Sequence, residues 1–403
     1  MLVVVLALAA AVQPDFYGSR AGEVPEKADP VMFVYNLSRT GCDLPGPSGP
    51  STINAESERR LEETLRRAVR VTSDPEEATF FFVPACLTMV LWSTKRSKRT
   101  ATWRWPSSNG RDARRRAAFE EEVIKAMRGL PYWDRHKGAD HLISHIKCPT
   151  TTASSWSFAF PRLWGNPAGR FACLETDAKR SRFEGNASLP RAAYRDVKRE
   201  LQLPHYVAPS EVAEVLSTAR RSTDLFFVGS FCCGRKWLKP LLHETEYVAI
   251  DREAPFKAAA SHDLTTPRAR FFLHVHGDSP ERKASMQAIA AGTPLMFLDP
   301  LTPPLRLHDW KDLGVEAFRG LDRNKLEEDA SNGRVSRDAK RLANITPVKE
   351  ALQTYDDAFL RRFERRREVL LWHTPAFNDR LRRVLAAIFD LPSSRRSSRE
   401  QQQ

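Results

Sequence analysis

Residues 271–299 read FFLHVHGDSPERKASMQAIAAGTPLMFLD, and this stretch decides the fold. Phe271-Phe272-Leu273-His274-Val275 is a continuous apolar run of strand length. The turn His276-Gly277-Asp278-Ser279 follows, and the pattern predicts a helix from about Pro280 to Ala291. Ser279 suits an N-cap and Pro280 a first helical position. Pro294-Leu295-Met296-Phe297-Leu298 then reads as the next strand. Two apolar strands joined by a helix belong to a parallel sheet covered on both faces.

The same alternation extends outward. Leu225 to Gly229 and Tyr247 to Ile250 read as strands upstream of this unit. Nearer the start, Val31 to Tyr35, Thr79 to Pro84 and His141 to Ile146 are strand-like. Helices are expected over Glu56 to Arg70, with Leu61, Leu65, Ala68 and Val69 on one face, and over Ala117 to Arg128. Pro45 to Ser51 reads as a loop, Lys95 to Arg116 as basic and turn-rich, and residues 149–190 as irregular. Helical segments near 347–369 and 376–389 close the chain. The expected organisation is a leader and stem over 1–30, one Rossmann-like domain over 31–215, a second over 216–345, helices over 346–392 and a disordered polar tail over 393–403. No internal repeat is seen.

The length of 403 residues fits two or three domains, at roughly 100–200 residues each. At 41% hydrophobic and 28% charged residues, global disorder is excluded. No run reaches the ~20 apolar residues of a membrane span, which excludes a polytopic membrane protein. The 63 Lys and Arg against 50 Asp and Glu leave a net charge of +13. Such a field favours a polyanion or a phosphorylated co-substrate without choosing between them.

Met1 to Val12, MLVVVLALAAAV, is wholly apolar and resembles a signal peptide or a clipped anchor without its basic flank. Three sequons begin at Asn36, Asn186 and Asn344, the first of them placed in an expected strand. Six cysteines are too few for a disulfide scaffold. Cys42, Cys86, Cys148 and Cys173 are candidates for bridges in an oxidising lumen, with the pairing open.

The start of the helix after Ser279 offers free N–H groups and partial positive charge, which suits a diphosphate. Arg282 and Lys283 add formal charge there. The carboxyl ends of parallel strands are where open α/β sheets bind ligands. A strand–turn–helix unit with a solvated basic first turn is the plainer reading of the same residues.

These residues resemble the C-terminal half of the exostosin-like glycosyltransferases, whose run is close to FCL-x-PxGDSxTRRSxFDAIxxGCIPV. The match is carried by Gly277, Asp278, Ser279, Arg282, Lys283, Ala288, Ile289, Gly292 and Pro294. Phe33 to Leu37 is similar to the family's YVYDLP, Asp74 to Pro84 to DPEEADLFFVP, and Pro131 to His141 to PYWNRSGGRDH. Arg195-Asp196-Val197 with Pro204-His205-Tyr206 resembles KDVVVPPY, Leu225 to Gly229 resembles LFFAG, and Asp309-Trp310 resembles LDW. The likeness covers roughly residues 31–330 and keeps the family's order. Gln287 stands where the family carries an acid, and Gly229 to Arg235 departs from its glycine loop.

The resemblance implies the GT-B arrangement, two Rossmann-like domains facing across a cleft. It also implies inverting transfer of a sugar from a nucleotide-sugar, UDP-linked by expectation, to a glycan or glycoprotein hydroxyl. Gly229, Arg235, Gly277, Asp278, Ser279, Arg282, Lys283 and Gln287 are the donor-side candidates. No other cofactor is expected, and no Asp-x-Asp occurs to bridge a metal to a diphosphate. Asp140 and His141 are candidates for the acceptor-side base, and the plainer reading, which is preferred, is a turn cap and a hydrogen-bonded structural histidine. His141 and His145 are four apart, a metal spacing in a helix but different depths in a strand. His274 and His276 share a strand face, where packing is the expected role.

A lumenal Golgi location, membrane association through the N-terminus and a homo- or hetero-oligomer are further expectations. Two rivals stand beside this reading. One is a non-catalytic glycan- or nucleotide-binding relative, motivated by Gln287 and the altered glycine loop. The other is a nucleic-acid binder, motivated by the charge and by Lys95 to Arg99 with Trp103, Trp105 and Arg114 to Arg116.

Overall fold

The computed structural model describes residues 29–43, 51–87, 89–90, 110–136, 138, 140–148, 170–176, 200–209, 223–229, 238, 246–249, 269–275, 283–298, 312–317, 328 and 346–389. Their strands form two sheets in which every pairing is parallel. The first holds β1 (Val31–Val34), β2 (Arg70–Thr72), β3 (Phe80–Val83), β4 (His141–Cys148), β5 (Arg170–Thr176) and β6 (Glu200–Gln202) in the order β2-β1-β3-β4-β5-β6. The second holds β7 (Thr223–Gly229), β8 (Glu246–Ala249), β9 (Ala269–His274), β10 (Leu295–Phe297) and β11 (Gly314–Glu316) in the order β11-β10-β9-β7-β8. The expected α/β class with two Rossmann-like parallel sheets is therefore what the chain forms. Both sheets are wound alike, with the second strand outside the first and the third on its other side.

Side-chain alternation explains the layers. In the first sheet Met32, Phe80, Phe82 and Leu142 pack with Leu61, Leu65 and Ala68 of α1 (Ser51–Ala68). Phe81, Val83 and Ile143 point the other way, onto Phe119, Val123, Ile124 and Met127 of α2 (Gly110–Arg128). α3 (Tyr132–Arg135) follows α2 and carries Trp133 into the same cluster. In the second sheet Phe272 and Phe297 join Met286, Ala288 and Ile289 of α4 (Lys283–Ala290). Phe271, Leu273 and Met296 face α5 (Thr346–Gln353) and α6 (Asp357–Glu368) through Val348, Ala351, Leu352 and Phe359.

The last helix, α7 (Pro375–Ile388), returns to the first half of the molecule. Just beyond it, Phe389 stacks on Phe80, ring centroids 4.7 Å apart at 6°. Between α6 and α7, the Trp372 indole donates to the Pro204 carbonyl at 3.0 Å and meets the Tyr206 ring edge-on. One apolar cluster thus runs from Phe80 through Trp372 and Phe363 to Phe272.

Several expectations change. The span 149–190 contains β5, a strand of seven residues, where irregular chain was expected. α2 begins at Gly110, inside the basic run, because Arg114 and Arg115 occupy its exposed face. The short strands β2, β6 and β11 were not foreseen; each has three residues and pairs along one edge, too little to leave a pattern. The expected helix 347–369 is two helices, parted where the Asp356 side chain caps α6 by accepting from Phe359 N–H at 2.6 Å. Asn36 lies past the end of β1 and is exposed, not inside a strand; Asn186 and Asn344 fall outside the described residues.

Candidate functional site

In the second sheet the winding reverses between β7 and β9, which are direct neighbours. Their register pairs Leu225 with Phe271 and Phe226 with Phe272, and its continuation sets Gly229 level with Val275. The chain therefore leaves both strands side by side at their carboxyl ends. The segments that leave carry the donor-side candidates: Gly229 and Arg235 after β7, and Gly277, Asp278, Ser279, Arg282 and Lys283 after β9. A reversal point of this kind opens a crevice beyond the strand ends, where α/β sheets hold ligands. Gly229 ends β7, Lys283 opens α4, and Gln287 is half-buried one turn further on. Arg235, Gly277, Asp278, Ser279 and Arg282 lie outside the described residues, as does the Lys283 side chain.

His274, the last residue of β9, hydrogen-bonds through Nδ1 to the Ser285 hydroxyl in the first turn of α4 at 2.6 Å. Both are 3% exposed. The Phe297 ring meets the His274 imidazole edge-on, centroids 5.2 Å apart. The far end of α4 closes at Gly292, whose φ of 76° is left-handed and needs a residue without Cβ. Thr293 N–H then donates to the Ala288 carbonyl at 2.8 Å, turning the chain into β10.

The first sheet reverses between β1 and β3. The loops that follow these strands are joined by a disulfide from Cys42 to Cys86, which resolves the pairing left open by sequence for these two. Arg59 also ties α1 to this loop, Nε donating to the Cys42 carbonyl at 3.0 Å. Asn36, Ser38 and Arg39 are exposed there.

Asp140 and His141 are brought together, but deep in the fold. They are 1% and 0% exposed. His141 is paired with Phe81, two residues short of the end of β3. Its Nδ1 lies 2.8 Å from Asp140 Oδ1 and its Nε2 lies 2.6 Å from the Tyr35 hydroxyl. Burial, and secondarily the charge of Asp140, push the Tyr35 phenol well above its ordinary range. The phenol therefore stays protonated and donates to Nε2, leaving Nδ1–H to donate to the carboxylate. Phe81 stacks on the imidazole at 4.8 Å, and Trp133 covers it edge-on at 4.5 Å. Gly138, at φ 78°, makes room for that indole, since a Cβ there would stand 2.6 Å from its ring.

Tyr35 was not singled out by sequence, because an apolar strand end gives no sign of a partner 106 residues away. Ser285 was missed for the same reason: nothing in the sequence pairs it with His274, 11 residues away. His145 lies in β4 with its side chain outside the described residues. Among the described residues no three His, Cys, Asp or Glu side chains gather as metal ligands. None of the described helices is long and apolar enough to cross a membrane.

No curated protein matches the chain. Among solved structures it is similar to a protein assigned as a UDP-N-acetylglucosamine 2-epimerase from Listeria monocytogenes, at 9% identity and a TM-score of 0.30, over 84% of this chain and 95% of that one. Another UDP-N-acetylglucosamine 2-epimerase is similar at 10% identity and a TM-score of 0.28, over 85% of this chain and 96% of the other. Likenesses this distant carry nothing about chemistry. The model of the Exostosin GT47 domain matches residues 51–317, about two thirds of the 403. That match takes in the whole second sheet with its reversal point and every strand of the first sheet except β1, and the chain belongs to the exostosin GT47 family of glycosyltransferases.

Proposed function

We propose that this glycosyltransferase moves a sugar, with inversion, from a nucleoside diphosphate donor to a hydroxyl of a glycan or glycoprotein. The observation that carries the reading is that β7 and β9, from whose carboxyl ends the two candidate loops depart, lie side by side at the sheet's reversal point. The loop after β9 would hold the diphosphate on α4 N–H groups, with Arg282 and Lys283 balancing its charge. Arg235, arriving from β7, would add a second cation as the leaving diphosphate gains charge. A uridine nucleotide is the proposed carrier, and the acceptor would approach from the loops after β1 and β3. We read His141 and Asp140, buried beneath Trp133, as a strut for those loops rather than as the base.

A lumenal site in the secretory pathway, with the apolar start as its membrane attachment, is proposed alongside. The Cys42–Cys86 bridge supports an oxidising compartment. The exposed arginines of α1 are matched by neighbouring glutamates, Arg60 by Glu56 and Glu63, Arg66 by Glu62, and Arg67 by Glu63. That pairing weakens the case for a nucleic-acid surface on this helix. The half-buried Gln287 in place of an acid favours a second reading, a nucleotide-binding relative without turnover.

Donor screening separates the two. With purified protein and a panel of nucleotide sugars, Arg282→Ala should lower kcat/KM on the order of 10²-fold, the scale of one lost charge-stabilising group. Unchanged kinetics in that variant would remove Arg282 from the diphosphate site. Tight nucleotide binding with no turnover of any donor would establish the second reading.

A further inference from the structure

The strand end and helix start that flank the proposed donor loop are joined by a buried polar contact. His274 closes β9 and Ser285 lies in the first turn of α4, with 2.6 Å between Nδ1 and Oγ. Both groups are almost wholly buried, and Phe297 fixes the ring from the side. The main chain of His274 is fixed too, since Leu298 N–H donates to its carbonyl at 3.1 Å. The remainder of α4 is held differently, by apolar packing of Met286, Ala288 and Ile289. Apolar packing is non-directional and tolerates small rotations of a helix. A hydrogen bond between two buried groups does not, because misalignment leaves both without water.

We propose that His274 is a positioning residue for the transfer reaction: through Ser285 it sets the direction in which the first turn of α4 presents its N–H groups to the donor diphosphate. This inference rests on the donor-site reading above. It assigns a role to a histidine whose strand setting alone reads as packing. Neither residue touches the donor. They hold the two ends of the loop in the relation that a preorganised anion site requires.

The test uses the whole folded protein with UDP and GDP as probes, titrated calorimetrically, and with donor kinetics where turnover is found. Ser285→Ala removes the hydroxyl, while Ser285→Thr keeps one. His274→Asn keeps a polar atom near the Nδ1 position, and His274→Leu keeps bulk alone. The alanine and leucine variants should raise the diphosphate Kd, and KM more than kcat, on the order of tenfold, the scale of one net hydrogen bond. The threonine and asparagine variants should recover most of that loss. Thermal melting accompanies each variant.

If wild type binds neither diphosphate, the donor-site reading fails and this inference with it. If wild type binds and Ser285→Ala and His274→Leu bind equally well, the inference alone is overturned. It is overturned too if all four variants weaken binding only in proportion to lowered melting temperature, since that is the mark of a merely structural contact.

Discussion

At the scale of single residues, the Tyr35–His141–Asp140 chain shows what burial adds to residue type. An aspartate beside a histidine reads as a catalytic base. Here the carboxylate and the phenol take both ring nitrogens, at 2.8 and 2.6 Å, under an aromatic cover. Tyr35 keeps its proton in the folded state to higher pH than in the unfolded chain, where it ionises near its ordinary value of about 10. Above that pH the unfolded state binds fewer protons than the folded one, so stability falls as pH rises. Tyr35→Phe should cost about 1–3 kcal/mol near neutrality, by leaving a buried ring nitrogen without its donor. The gap between variant and wild type should then narrow above a pH of about 10, measured by urea unfolding. A gap that stays constant into that range would refute the raised phenol.

At the scale of elements, the loops at the first sheet's reversal point are held covalently. Cys42 follows β1 and Cys86 follows β3, at a sequence separation of 44. A cross-link over a loop of that length stabilises chiefly by restricting the unfolded chain, by about 2–4 kcal/mol. Replacing both cysteines by alanine should lower the urea midpoint and the unfolding free energy, and raise the slope because the unfolded chain expands. An unaltered midpoint would mean the bridge contributes nothing. α1 draws less from its charges: its Arg–Glu pairs are solvent-exposed and about 0.3–0.5 kcal/mol each is the expected scale. Its place is set by Leu61 and Leu65, which the sequence pattern identifies as its buried face.

At the scale of the whole molecule, the C-terminal helices tie the halves together. α6 buries Phe359 against the second sheet, while α7 buries Phe377 and Leu381 in the cluster shared with the first. Trp372 lies between them, stacked on Phe377 at 5.7 Å and bonded to the Pro204 carbonyl. Trp372→Ala should cost about 3–5 kcal/mol through lost burial and a cavity. In calorimetry a single unfolding transition should separate into two, one for each half. A lone transition at the wild-type temperature would show that the halves are coupled elsewhere. On the proposed mechanism this coupling matters for transfer, because the loops proposed for donor and acceptor belong to different sheets and would have to meet at a fixed spacing.

The amino-acid sequence by itself determined that two parallel sheets would form, since apolar runs such as Phe80 to Val83 and Phe271 to Leu273 are buried on both faces and can only be interior strands. It also singled out the loops proposed to hold the diphosphate, because glycine, serine and arginine in a fixed order after a strand are a local signal. Strand order was decided by tertiary structure alone: β7 lies beside β9 rather than β10 because of how crossovers stack, and no residue in either strand encodes its neighbour. The same holds for Tyr35 with His141, Cys42 with Cys86 and His274 with Ser285. Each pair is separated in sequence and joined only once the chain has packed, so its meaning comes from distance and burial rather than from residue type.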